Sequence, residues 1–160
     1  MIAEHEMPYL KRCVALAEEA LKAGDEPFGS VLVSRDGEVL AEDRNRIAGG
    51  DATQHPEFAL ARWAAQNMSP RARAEATVYT SGEHCPMCAA AHGWVGLGRI
   101  VYVSSSAQLS AWLNEFGVAP PPVATLPIEQ VVPGLTVEGP VSALAETMKA
   151  LHQRCHQGAK

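Results

Sequence analysis

The sequence predicts a three-layer α/β/α sandwich around a mixed five-stranded sheet. Amphipathic helical patterns alternate with short apolar runs along the chain. Asp36-Gly37 lies between two of these runs, which is typical of a hairpin and therefore of an antiparallel strand pair. A helical stretch joins the next two runs, so we expect them to pair in parallel through a right-handed crossover.

The first part of the chain carries a helix, a hairpin and a polar connection. Residues 4–23 repeat apolar side chains at helical spacing, with charged side chains on the other face. Strands are predicted at residues 28–34 and 38–43. Residues 45–53 are polar and contain glycine, which indicates a loop that leads to His55.

The middle of the chain continues with two helices and two strands. A helix is predicted over residues 56–67, and Pro56 fits its first turn because the first N–H groups of a helix have no partner within it. A strand follows over 76–81, then a helix over 88–97 and a strand over 99–104.

The pattern weakens after this fourth strand. A short helix is predicted over residues 108–116, an edge strand near 128–132 and a final amphipathic helix over 142–156. The sequence contains no internal repeat and no second domain boundary. We therefore interpret residues 1–160 as a single domain in which 105–160 form a divergent C-terminal part.

The composition limits the class of partner. The 160-residue chain is 47% hydrophobic and 19% charged, as expected for a chain that folds around a core. Its formal net charge of −5 disfavours nucleic acid as a partner, because proteins that bind phosphate backbones usually carry a basic patch. No signal peptide is visible, no apolar run reaches the roughly 20 residues that span a bilayer, and the four cysteines are interpreted as thiols. We expect a soluble cytoplasmic protein without membrane contact.

His55, Cys85 and Cys88 together suit a catalytic metal. Imidazole and thiolate are usual ligands of Zn²⁺, and three protein ligands leave the fourth tetrahedral position for water. Glu57, two residues after His55, is well placed to take a proton from that water. The alternatives are a redox pair for Cys85 and Cys88, and a solvated first-turn helix residue for Glu57.

Three other side chains have competing interpretations. His84 is a fourth zinc ligand, a pocket wall or a hydrogen-bond partner of Glu83. Asn45 is a turn residue, which is the default for Asn in a loop, or a substrate contact. Trp94 is a core residue or a flat face for a ring substrate.

Several motifs support a resemblance to a known family. They are Pro27-Phe28-Gly29-Ser30-Val31-Leu32-Val33, Asn45, Asp51-Ala52-Thr53, His55-Pro56-Glu57 and Cys85-Pro86-Met87-Cys88-Ala89. The signature of zinc nucleobase deaminases is H-x-E followed by P-C-x-x-C, and the chain departs from it at His84, where proline is expected. Residues 14–104 resemble the cytidine and deoxycytidylate deaminase superfamily, especially the branch of guanine deaminases and tRNA adenosine deaminases.

This resemblance implies a cytidine deaminase-like fold, a single zinc-dependent deaminase domain and a homodimer. It implies Zn²⁺ on His55, Cys85 and Cys88 and hydrolytic deamination with Glu57 as the catalytic residue. It also implies substrate contacts from Asn45, with Phe28 and Trp94 packing against the ring. A role in purine metabolism is the corresponding expectation.

The same resemblance bears on the substrate. Phe28 and Trp94 match the guanine deaminase side and favour a free base or small heterocycle over tRNA. Asn114-Glu115-Phe116-Gly117 departs from the Gly-Phe-Asp-Asp pattern of guanine deaminases. Pro56 has no N–H for the ring carbonyl that pyrimidine branches hold there, and an unpaired buried polar group costs about 1–3 kcal/mol, which argues against cytosine.

The sequence therefore predicts a zinc-dependent hydrolytic deaminase of an aminated purine base, nucleoside or similar small heterocycle. One alternative is a tRNA-specific adenosine deaminase that acts on the wobble adenosine. The other is a non-catalytic, zinc-stabilised binding module.

Overall fold

The computed structural model describes residues 2–157, which form a five-stranded mixed sheet with helices on both faces. The helices are α1 (Met7–Lys22), α2 (Pro56–Asn67), α3 (Pro70–Glu75), α4 (Pro86–Val95), α5 (Ser106–Glu115), α6 (Ile128–Val131) and α7 (Ser142–Gln157). The strands are β1 (Gly29–Val33), β2 (Val39–Arg44), β3 (Thr77–Gly82), β4 (Ile100–Ser104) and β5 (Val137–Glu138). None of the described helices is long and apolar enough to cross a membrane.

The strand order in the sheet is β2-β1-β3-β4-β5. Strand β1 pairs antiparallel with both β2 and β3, whereas β3, β4 and β5 run parallel to one another. Helix α4 connects β3 to β4, because two parallel neighbouring strands need a crossover connection. The predicted fold class, hairpin and parallel pair are confirmed.

Alternation along the strands creates one hydrophobic core on each face of the sheet. On one face, Val31, Tyr79 and Val101 pack against α1, α5 and α7. On the other face, Leu32 and Val78 pack against α2, α4 and α6. The second face also carries the two helix starts that the metal-ligand motifs occupy, so the candidate site lies on this side of the sheet.

Gly29 allows α1 to lie close against β1. A Cβ atom at this position would lie 2.4 Å from Cβ of Leu16 and 2.6 Å from the carbonyl oxygen of Cys13. These separations are too short for any side chain. Position 29 is therefore glycine, because α1 occupies the space that a Cβ atom would need. The close contact between α1 and β1 fixes the start of β1. Phe28 and Ser30, on either side of Gly29, belong to the candidate site described below.

The predicted edge strand near residues 128–132 is wrong. Residues Ile128–Val131 form helix α6, and the fifth strand is β5, which pairs through Ile100 with Val137 and through Val101 with Glu138. The segment is helical because Ile128 is fully buried against the second core while its neighbours Glu129 and Gln130 remain exposed. A strand there would place alternate residues on opposite faces, which this burial pattern does not follow.

Other boundaries also differ from expectation. Helix α3 was not predicted, and Ser69 caps it by accepting a hydrogen bond from the N–H of Ala72 at 3.1 Å. The first helix is preceded by a 3₁₀ turn at Glu4–Glu6. Helix α4 begins at Pro86 rather than at Cys88, and this shift places Cys85 immediately before the helix.

Candidate active site

The metal-ligand motifs lie at the first turns of two neighbouring helices. His55 immediately precedes α2, and its carbonyl oxygen accepts a hydrogen bond from the N–H of Ala59 at 3.2 Å. Cys85 immediately precedes α4 in the same way, and its carbonyl oxygen accepts from Ala89 at 2.8 Å. Each helix has proline at its first position, where the missing N–H costs no helix hydrogen bond.

The three predicted ligand side chains converge. The Nδ1 atom of His55 lies 3.5 Å from Sγ of Cys85 and 3.5 Å from Sγ of Cys88. All three ligand atoms lie within 4.8 Å of one another, and no other such group of His, Cys, Asp or Glu occurs among residues 2–157. Tetrahedral zinc, with bonds of about 2.1 Å to nitrogen and about 2.3 Å to sulfur, separates these two ligand types by about 3.5 Å. The spacing therefore fits Zn²⁺.

Hydrogen bonding within this group already favours one thiolate. The contact with the Cys88 thiol, followed by that with His55, lowers the pKa of Cys85 to about 4. The contact between the two thiols raises the pKa of Cys88, and the separate hydrogen bond between His55 and Cys85 raises the pKa of His55. A cation bound between the three groups favours the deprotonated forms, because metal ligands must lose their protons to bind.

Glu57 is buried beside this group, with 6% of its surface exposed. Its Oε1 atom accepts hydrogen bonds from Oγ of Ser30 at 3.1 Å and from Oγ1 of Thr80 at 3.0 Å. Burial raises the pKa of Glu57, while the positive His55 ring and the two hydroxyls oppose this effect. A carboxyl group with a raised pKa is suited to take up and return a proton near neutral pH.

The two hydroxyls form a small network behind Glu57. Ser30 and Thr80 are direct partners across β1 and β3, and Oγ of Ser30 lies 2.8 Å from Oγ1 of Thr80. The Thr80 hydroxyl also lies 3.0 Å from the carbonyl oxygen of Gly82. Each hydroxyl has a single proton to donate, so both can serve an ionised Glu57 and can turn to other acceptors when Glu57 gains a proton. A hydroxyl oxygen can also accept a hydrogen bond from the O–H of neutral Glu57, so the network can contact Glu57 in either protonation state.

His55, Glu57 and Cys85 open into a cavity of about 760 Å³. Cys88 is completely buried behind them and does not line the cavity. The far wall consists of one face of α5 and of residues 118–125, which we call the strap. A cavity of this size lies within the range of about 300–1,000 Å³ that is typical of small-molecule sites.

Glu83 holds the first turns of the two helices that flank the strap. Its Oε1 atom accepts a hydrogen bond from the N–H of Ser106 at 3.0 Å, and its Oε2 atom accepts one from the N–H of Ile128 at 2.7 Å. These are the first residues of α5 and α6, the helices that flank the strap. One carboxylate therefore satisfies two helix starts and fixes the elements that close the cavity.

Phe28 and Asn45 have different positions relative to the cavity. Phe28 lines it, and its ring lies edge-on to His152 with the ring centroids 5.1 Å apart. Asn45 is 1% exposed, and its Oδ1 atom accepts a hydrogen bond from the N–H of Ile47 at 3.1 Å, which is the turn role expected from composition. Asn45 is not among the described residues that line the cavity. Substrate contacts from both residues stay predictions.

Trp94 does not reach the cavity within this chain. Its side chain is 90% exposed in the last turn of α4, so its interpretation as a core residue is wrong. Trp94 lies six residues after Cys88. At about 100° per residue, and after one full turn is subtracted, its side chain points about 240° around the helix from that of Cys88. The indole is therefore not in position to stack on a ring bound in the cavity of the same chain.

None of the three interpretations of His84 is supported. His84 is 1% exposed, does not line the cavity and does not belong to the His-Cys-Cys group. Neither ring nitrogen has a hydrogen-bond partner among the described residues, which excludes a bond to Glu83. The ring instead packs edge-on against His92, with centroids 5.4 Å apart.

Sequence reasoning missed Ser30, Thr80 and the double contact of Glu83. A signal for the first two was present, because a hydroxyl inside an apolar strand must find a partner when it is buried. Both Ser30 and Thr80 have 0% exposure. Nothing local in the sequence signals the role of Glu83, since its partners lie 23 and 45 residues away.

Comparison with known proteins gives a consistent family match. Residues 3–104 match the model of the cytidine and deoxycytidylate deaminase zinc-binding region. A probable cytosine deaminase of Schizosaccharomyces pombe is 30% identical over 120 residues, which are 75% of this chain and 73% of that protein. Guanine deaminase of Bacillus subtilis is 37% identical over 98 residues, which are 60% of this chain and 62% of that protein.

The structural comparison agrees. The solved structure of guanine deaminase from Bacillus subtilis has a TM-score of 0.57 and 31% identity, and the match covers 78% of this chain and 83% of that one. The relatives also include tRNA-specific adenosine deaminases of Agrobacterium fabrum and Haemophilus influenzae. These proteins share a reaction class and differ in the base that they are named for.

Proposed function

Because the chain belongs to the cytidine and deoxycytidylate deaminase family, we propose that it releases ammonia from an aminated purine base, nucleoside or similar heterocycle. Hydrolytic deamination and the zinc cofactor are properties of the family, and the His55, Cys85 and Cys88 group fits the metal. The proposal concerns the substrate and the roles of individual residues. The observation that carries it is the buried Glu57 next to this group at the end of a ligand-sized cavity.

The proposed mechanism uses Glu57 to move protons. His55, Cys85 and Cys88 would hold zinc, which would supply the Lewis acidity that makes water nucleophilic near neutral pH. Glu57 takes one proton from the water that attacks the amino-bearing ring carbon and gives it to a ring nitrogen. It then takes the proton of the newly added hydroxyl and gives it to the departing amine. The C–N bond breaks, a carbonyl remains on the ring and ammonia leaves. Ser30 and Thr80 keep Oε1 of Glu57 in place during both transfers.

Three features of the cavity support a purine-like base without phosphate. The described residues that line it include no Lys or Arg, so a phosphate group would find no cation. Pro56 lines the cavity and has no N–H to offer to a pyrimidine carbonyl. Glu26 also lines the cavity, and its carboxylate is an acceptor that suits the N–H donors on the guanine edge.

The alternatives make different predictions. A tRNA wobble adenosine deaminase is consistent with several relatives, but it would need cations near the cavity mouth, and its RNA binding would weaken steeply with salt. A non-catalytic zinc module would release no ammonia. The homodimer, the cytoplasmic location and the role in purine metabolism stay proposals that rest on the family resemblance and on the composition. Light scattering of the purified protein tests the homodimer.

The test is ammonia release by zinc-loaded protein from guanine, guanosine, adenine, cytosine and an anticodon stem-loop with a wobble adenosine. We expect turnover of a purine base or nucleoside, and a Glu57→Gln protein that retains zinc should be slower by at least about 100-fold. Turnover of cytosine or of the stem-loop alone would contradict the purine proposal. Ammonia release that survives Glu57→Gln would contradict the mechanism.

A further inference from the structure

The cavity extends well beyond the group that fits the metal. His55, Glu57 and Cys85 form one end, and α5 carries the lining from Ser106 to Leu113. Seven residues of helix span about 10 Å, which exceeds the length that a single aminated ring requires. The strap continues the same wall through Pro120 and Val123. A base at the metal end would therefore leave the far end of the cavity unfilled.

Leu109 and Leu113 give the far end an apolar surface. They are four residues apart and lie on the same face of α5. Leu109 packs against the first hydrophobic core, whereas Leu113 is half-buried and belongs to neither core of the described chain. Val123 in the strap is 51% exposed. Apolar surface that lines a cavity without packing against the protein gains free energy when a ligand covers it.

The charges of the lining limit which ligand group can occupy this end. The described lining residues carry carboxylates at Glu26, Glu57 and Glu83 and include no cationic Lys or Arg. Glu83 is already engaged with the N–H groups of Ser106 and Ile128. A phosphate would find no cationic partner there, while an uncharged apolar group would meet leucine, valine and proline side chains.

We infer that the far end of the cavity is a subsite for an apolar substituent on the heterocycle. The preferred substrate is then an aminated ring that carries an aryl or alkyl group, which should bind more tightly than the bare base, and a nucleotide is disfavoured. The inference rests on the proposed deaminase function, because the aminated ring itself is assigned to the metal end. Leu113 and the strap would contribute to specificity and have no part in the proton transfers.

The experiment compares binding of substituted and unsubstituted bases. The base that wild-type protein deaminates best, or guanine if none is deaminated, is titrated calorimetrically into zinc-loaded Glu57→Gln protein, together with its N-methyl and N-benzyl derivatives. We expect at least one benzyl derivative to bind about tenfold more tightly than the bare base. The Leu113→Ala change should reduce this preference, and Leu113→Asp should abolish it. Leu126→Asp is the matched control, since Leu126 is 42% exposed and is not among the described lining residues.

The outcomes separate the subsite from the deaminase function. The inference is overturned if no benzyl derivative binds more tightly than the bare base, or if the preference survives Leu113→Asp. If that happens while wild-type protein still deaminates the bare base in a Glu57-dependent manner, the subsite inference fails and the proposed deaminase function stands. If no base is deaminated, the proposed function fails, and the binding data still decide whether the apolar subsite exists.

Discussion

The Oγ1 atom of Thr80 lies 3.0 Å from the Oε1 atom of Glu57, so a residue of β3 orients the carboxylate of a residue at the start of α2. Ser30 of β1 makes a second contact with the same oxygen at 3.1 Å. Because both hydroxyls belong to the rigid centre of the sheet, Glu57 is held on the side of the cavity where the ligand group lies. The sheet therefore positions the residue that we propose moves the proton.

Replacing Thr80 tests this relationship. Thr80→Val keeps the shape of the side chain and removes its hydrogen bond to Glu57. We expect kcat to fall by about 10- to 100-fold, because a hydrogen bond to a charged group is worth about 1.5–3 kcal/mol. KM should change by no more than about twofold if Thr80 acts only through Glu57.

Thr80→Ser is the matched control because it retains the hydroxyl, and it should restore most of kcat. Zinc content should be equal in all three proteins. An unchanged kcat in Thr80→Val, or a rise in KM that accounts for the whole effect, would show that Thr80 does not position Glu57.

Removing one thiolate should remove the metal. In Cys85→Ser the weaker hydroxyl ligand leaves only two strong donors, so zinc measured by mass spectrometry should become substoichiometric after dialysis. With free zinc about 1,000-fold above its Kd, the lost binding stabilises the wild-type fold by about 4 kcal/mol. Thermal unfolding in the presence of zinc should show this difference.

Cys155→Ser is the control for loss of a thiol, because Cys155 lies on α7 outside the ligand group. It should keep one zinc per chain and the wild-type response to zinc. Full zinc occupancy in Cys85→Ser would mean that Cys85 is not a ligand.

The metal-ligand group was predictable because each of its motifs is local. His55 and Glu57 lie two residues apart, and Cys85 and Cys88 lie three apart, so a single helix start fixes the geometry within each motif. The hairpin at Asp36-Gly37 and the β3-α4-β4 crossover were predictable for the same reason. These short-range signals were enough for the fold class and for the zinc chemistry.

The remaining features depend on partners that are distant in sequence. Strand β5 has only two residues, so it shows no alternation, and its pairing is defined by β4. The segment at Ile128 has the composition of a strand, yet burial of that single side chain favours a helix. Ser30 and Thr80 meet only because the register of β1 and β3 pairs them across the sheet. No local pattern contains that register.

Glu83 should control the order of the helix starts at Ser106 and Ile128. Glu83→Gln leaves one carboxamide oxygen in place of two carboxylate oxygens, so only one of the N–H groups of Ser106 and Ile128 keeps its acceptor. We expect the amide hydrogen of the other residue to exchange at least about tenfold faster, since the lost bond is worth about 1.5 kcal/mol or more.

Nuclear magnetic resonance measures the exchange of these two amides directly. Glu129→Gln is the control, because Glu129 is an exposed carboxylate of α6. Equal exchange of both amides in wild-type and Glu83→Gln protein would show that Glu83 does not hold these two helix starts.

His152 should make the fold sensitive to acid. Burial, with a smaller contribution from the nearby positive charge of His156, lowers the pKa of His152 to about 4 from an ordinary value of 6.5. The unfolded chain therefore binds a proton more readily, so this contribution to stability is complete above about pH 6.5 and is lost as the pH falls toward 4. The loss is on the order of 3 kcal/mol across that window.

Urea unfolding at several pH values checks this prediction. His152→Leu removes the titrating group at similar volume, so its free energy of unfolding should fall less steeply with acid than that of the wild-type protein. Release of zinc by acid affects both proteins alike and cancels in the difference. If the free energy of unfolding falls equally with acid in the two proteins, the lowered pKa of His152 does not account for the acid sensitivity.

The central claim is that Glu57 moves the proton in a zinc-dependent deamination at this site. The most direct measurement is the initial rate of ammonia release from a purine base by wild-type and Glu57→Gln proteins loaded with equal amounts of zinc. We predict measurable release by the wild-type protein and a rate lower by at least about 100-fold in Glu57→Gln. Equal rates in the two proteins, or no release from any purine base or nucleoside by the zinc-loaded wild-type protein, would contradict this account.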